Sequence, residues 1–148
     1  MFLENTKTII RRDLERLKQE LEAYQDEGII WQVENKINNS AGTIGVHLVG
    51  NLNAYIGAEL GHTGYIRDRD AEFAPRKIFR DELLDKIDQT IEVIEQSLNK
   101  VSEDSLDDEF PVPVSGMKVT IRYMLMHLTT HLAYHLGQVT YHRRLLDR

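Results

Sequence analysis

Apolar residues recur at intervals of three and four in four stretches of the chain, and each stretch predicts an amphipathic helix. Ile10, Leu14, Leu17, Leu21 and Tyr24 mark the first, starting near Phe2 or Leu3 and stopping before Gly28. Its other side carries Arg11, Arg12, Asp13, Glu15, Lys18 and Glu22, which reads as a solvated outer face. Ile44, Leu48, Leu52 and Tyr55 form the stripe of a second helix, from Ser40 to about Ala58. Leu84, Ile87, Ile91, Ile94, Leu98 and Val101 mark a third, from about Arg76 to Val101. The fourth runs from Thr120 to about Leu146, roughly 40 Å at 1.5 Å per residue, and packs through Ile121, Leu125, Leu128, Leu132, Leu136 and Val139. No strand pattern interrupts them, so the expected fold is all-α, a four-helix bundle.

The connections carry their own signals. Gly28 stops the first helix, and Asn38, Asn39 and Ser40 offer a cap to the second. Ile29, Ile30 and Trp31 are too apolar for a plain loop, and the expectation is that they plug one end of the bundle rather than line a pocket mouth. Gly42, Gly45, Gly50 and Gly57 each cost a helix about 1 kcal/mol relative to Ala, so they imply close helix approach or room for a ligand. Glu59 to Arg76 reads as a long loop holding Arg67-Asp68-Arg69-Asp70-Ala71-Glu72-Phe73. Its simplest reading is a solvated charged loop, with room for cross-links by its own ion pairs. The functional alternative has Arg67 or Arg69 reaching over a site to hold an anion. Ser102 to Gly116, with Asp104, Asp107, Asp108, Glu109, Pro111 and Pro113, reads as a connector crossing back over the bundle.

The 148 residues suit one domain, 1–148, with a sizeable core. With 18 Lys and Arg against 24 Asp and Glu, the net charge of -6 is the wrong sign for nucleic-acid binding. The chain has no cysteine, which removes disulfides and thiolate metal sites and fits a reducing cytoplasm. The stretch MFLENTKTIIRRDLERL lacks the apolar core of a signal peptide, and no run approaches the ~20 apolar residues that span a bilayer. Neither a leader nor a membrane segment is expected.

The chemistry concentrates in Met126 to Gln138. His131 and His135, four apart, lie one turn above the other on one helix face and suit a shared ion. His127 sits one turn earlier and His142 about two turns later on that face. A divalent ion needs a further ligand from another helix, and His47 is the best candidate. The expected centre is therefore His47, His131 and His135. An open fourth position would lower the pKa of a bound water or activate an incoming thiol. The metalloprotease pattern fails because Leu132 follows His131, and the di-iron pattern matches once only, at Glu59 and His62. That leaves His62 as a loop histidine. Asn51, Tyr55 and Gln138 are candidate pocket groups whose simpler role is a structural hydrogen bond.

His47 in GVHLVGNL, followed by His131, His135, Gly137 and Gln138 in HLAYHLGQ, resembles the DinB/YfiT-like superfamily over nearly the whole chain. The segment RDRDAEF looks like that of an uncharacterised branch. The resemblance implies an up-down-down-up four-helix bundle, frequently a homodimer. It also implies a zinc or nickel ion on the three matching histidines. Some relatives are S-transferases or isomerases that use bacillithiol, mycothiol or glutathione; others have no assigned reaction. A rotated helix would pair His127 with His131 instead, but Gly137 and Gln138 favour His131 and His135 in the family register. The leading expectation is a metal-dependent transferase of a low-molecular-weight thiol acting on a small-molecule substrate. Its rivals are metal-assisted hydrolysis of a small ester or amide, a non-catalytic metal tie between helices, and a bundle that binds nothing.

Overall fold

The computed structural model describes residues 1–74 and 78–148. Among the described residues it is all-helical, with five α-helices, short 3-10 and π segments, and no strand. Helix α1 spans Phe2–Glu22, α2 Ala41–Leu52, α3 Arg69–Glu72, α4 Arg80–Leu98 and α5 Ile121–Leu146. Helices α1 and α2 each pack against both α4 and α5 and barely touch one another. None of these helices is long and apolar enough to cross a membrane.

Local chemistry sets the ends. Asp26 accepts from the Gly28 N–H at 2.8 Å and opens a 3-10 turn, Glu27–Trp31, beyond α1. Ile30 is fully buried there, and the Trp31 ring lies where a Cβ on Gly42 would be, 2.7 Å away. That is the expected plug. Ser40 caps α2 through the Thr43 N–H and Thr120 caps α5 through the Tyr123 N–H, each at 3.1 Å. Past Leu52 the helix widens into a π-helical stretch, Asn53–Ala58, in which the Glu59 N–H reaches back five residues to the Ala54 carbonyl.

Three expectations change, and a fourth falls outside the described residues. The loop after α2 is not structureless: Asp68 accepts from the Ala71 N–H at 3.1 Å and starts the short helix α3. The third long helix is observed from Arg80; its expected start at Arg76 lies outside the described residues. In α4 it is Leu83, not Leu84, that is fully buried, because the core face follows Leu83, Ile87, Thr90 and Ile94. Asp13 is not on the solvated face of α1. It is buried beside Ile10, Leu14 and Leu17, and its carboxylate accepts from Arg12 Nε at 2.8 Å.

The connector 102–116 folds back as foreseen and ends in a tight turn. Val114 and Met117 exchange backbone hydrogen bonds of 2.8 and 3.0 Å around Ser115 and Gly116, both at positive φ. Phe110 anchors it in the core, and Val114 and Ser115 reach the edge of the histidine cleft.

Candidate metal centre

His47 comes from the middle of α2, and His131 and His135 from consecutive turns of α5. The three imidazoles meet where the two helices pack. Nε2 of His131 is 3.4 Å from Nε2 of His47 and 3.2 Å from Nε2 of His135. One ligand atom from each ring lies within 4.8 Å of the others, so the three together could hold a metal ion. Tetrahedral bonds of 2.0–2.1 Å would place ligand nitrogens about 3.3 Å apart, the spacing of both pairs that His131 makes.

The outer ring nitrogens explain why a cation fits better than hydrogen bonds among the rings. His47 Nδ1–H donates to Glu72 Oε1 at 3.0 Å, and His135 Nδ1–H donates to Gln138 Oε1 at 2.7 Å. Each acceptor fixes its imidazole in the tautomer whose Nε2 carries a lone pair. Two lone pairs then face His131 Nε2, which has one proton at most to offer. A shared cation satisfies all three.

Glu72 was missed in the sequence. It is buried on the four-residue helix α3, where Arg67 grips it through Nε to Oε2 at 2.8 Å and Nη2 to Oε1 at 2.9 Å. Arg67 is therefore committed within its own segment, as the ion-pair reading had it, yet the pair is buried against α2 rather than solvated. The carboxylate occupies the space a Cβ on Gly50 would fill, with Oε2 only 2.0 Å from that position. Phe73 adds an aromatic wall, its ring centroid 5.0 Å from that of His47.

Burial keeps His131 and His47 neutral. Burial, helped by the neighbouring imidazoles and Arg67, pushes His131 down to about 4. Burial also lowers His47, against the opposing pull of Glu72. Neutral imidazole is the form that binds metal.

The centre opens into a cleft of about 600 Å³ whose wall includes Asn51, Tyr55, Arg69, Phe73 and His127. Asn51 is buried, but its Oδ1 has no partner, so the structural hydrogen bond expected of it is not made there. His131 Nδ1 is likewise buried and unpaired, and both residues border the cleft. Tyr55 lies under the Arg67 guanidinium, and Arg69 lies over Phe73. His127 stacks beside His131, 5.9 Å between centroids, without joining the three-nitrogen cluster. His142 is elsewhere: its ring is buried between the Tyr24 hydroxyl at 2.7 Å and the Gln32 carbonyl at 2.8 Å. His62 is an exposed loop residue at φ 54, as anticipated.

Comparison with known proteins gives a family without an activity. No curated protein matches the chain. One family model matches residues 1–148, carrying the description "Protein of unknown function (DUF1572)". With that match running from the first residue to the last, the chain belongs to the DUF1572 family.

Proposed function

We propose that the chain is a metal-dependent enzyme in which His47, His131 and His135 hold a divalent ion, zinc or nickel, and which transfers a low-molecular-weight thiol to a small electrophile. The carrying observation is the meeting of three Nε2 atoms, with His131 at 3.4 and 3.2 Å from the other two, whose lone pairs are left free by the Nδ1–H bonds to Glu72 and Gln138. The bound ion would act as a Lewis acid on a thiol or carbonyl. The chain supplies the rest. His47 and His135 are oriented from behind, Phe73 walls one side, and His127, bordering the cleft, would accept the proton that a thiol gives up. The thiolate would then attack the electrophilic carbon and displace its leaving group. Hydrolysis of a small ester or amide is the rival reading: His127 could take a proton from water as well as from a thiol, although among the described residues no carboxylate lines the cleft.

The same reading takes residues 1–148 as one four-helix bundle domain of the DinB/YfiT-like type, with the up-down-down-up order and a homodimer as its further expectations. That α1 and α2 each pack on both α4 and α5 supports the bundle.

The test begins with metal content. Untagged protein should carry about one zinc or nickel per chain, and His131→Ala should lose it. Loaded protein should then consume a chlorobimane-type acceptor only when a thiol such as bacillithiol or glutathione is present, and His127→Gln should slow that turnover while keeping its metal. Fully loaded protein that consumes no acceptor with any thiol would overturn the transferase reading and leave the metal site standing.

A further inference from the structure

We propose that Glu72 is a positioning residue for the metal centre: locked by Arg67 and seated over Gly50, its carboxylate fixes the tautomer and angle at which His47 presents Nε2. The role rests on the three-histidine metal reading and adds to it a dependence on the 67–73 segment.

The observations are independent of one another. A buried carboxylate is costly unless it is paired and hydrogen-bonded. Glu72 meets both conditions, and one of its bonds goes to His47 Nδ1, the nitrogen opposite the cluster. An ion pair serving only to close the loop would need neither contact with His47 nor a missing side chain on α2. Yet α2 carries a glycine under the carboxylate, in a helix interior where Ala would be favoured by about 1 kcal/mol. Helix α3 is a single turn started by Asp68, and it places Glu72 and Phe73 together on the same imidazole. Arg67 holds both carboxylate oxygens, leaving the head group little rotational freedom. The Arg67 charge also cancels that of Glu72, so the carboxylate orients His47 rather than offsetting the charge of an ion.

The test is zinc affinity of the full chain, measured by competition with a chromogenic chelator. Glu72→Ala and Gly50→Ala should each weaken zinc binding 10- to 100-fold, the usual cost of losing a histidine's outer partner. Gly50→Ala touches no ligand; its methyl displaces the carboxylate of Glu72. Glu72→Gln, which keeps an oxygen able to accept from His47 Nδ1–H, should recover most of the affinity. Cobalt-loaded Glu72→Ala should show shifted ligand-field bands, a change that loop stability alone would not produce. Should Glu72→Ala fail to fold, Gly50→Ala against Glu72→Gln carries the comparison. Affinities and cobalt spectra equal to wild type in all three variants overturn the role of Glu72 while leaving the metal centre intact. A wild-type chain that binds no zinc overturns both.

Discussion

At the scale of single residues, the histidines of the cleft are unequal. His131 is half-buried, and that burial, with the neighbouring imidazoles of His135, His47 and His127 and the Arg67 charge, pushes it down to about 4. An unfolded histidine titrates near 6.5, so between those values the unfolded chain binds more protons than the folded one. Stability of the metal-free protein should therefore be level above pH 6.5 and fall as pH drops from 6.5 towards 4. The lowered His47 adds a loss of the same sign. His131 keeps partial contact with water, and screening holds the effect below its full linkage value. Urea unfolding of chelator-treated protein at pH 7.5 and 5.0 checks this. His131→Gln should lose less stability than wild type between the two; parallel losses would remove His131 as the cause.

At the scale of elements, the four long helices were legible because each buries a stripe with the 3.6 period, and Leu14, Leu17, Leu48, Leu52, Leu125 and Leu132 are all fully buried. His47, His131 and His135 were legible for a related reason: i,i+4 spacing fixes a shared helix face before any packing is known. Glu72 was not legible. Its role depends on a one-turn helix folding back over α2, and no periodicity links position 72 to Gly50 and His47. Asp13 failed as an expectation for a different reason, since a charge beside an apolar stripe goes inside when a neighbouring arginine reaches it. Caps belong to the legible part, and they carry a prediction. Ser40 Oγ satisfies the Thr43 N–H at the start of the helix that delivers His47. Ser40→Ala should cost about 1 kcal/mol and Ser40→Gly only a few tenths, read as a lower urea midpoint with unchanged slope. Equal losses in the two variants would assign the cost to packing around Ser40 instead of the cap.

At the scale of the whole molecule, the three nitrogens join helices that the chain separates widely: α2 and α5 are linked only through α3, α4 and the connector. An ion held at their contact would act as a cross-link between the two halves of the fold, and its binding free energy would appear as folding free energy. A ligand that binds only the folded state stabilises it by about 2.7 kcal/mol at a hundredfold excess over Kd. Zinc or nickel added to chelator-treated protein should therefore raise the melting temperature by several degrees, given about 2–4 °C per kcal/mol for a chain of this size. His47→Ala removes the only α2 ligand and should abolish the rise, although His131 and His135 keep a two-point grip on α5. That contrast separates a bridging ion from one bound to α5 alone: a rise of equal size in the variant would show that the ion never tied the helices together. Tyr24 and His142 give the internal control, because their buried hydrogen bond also joins the segment just past α1 to α5 but involves none of the three ligands. His142→Ala should lower the melting temperature with and without metal by the same amount, leaving the metal-induced increment unchanged.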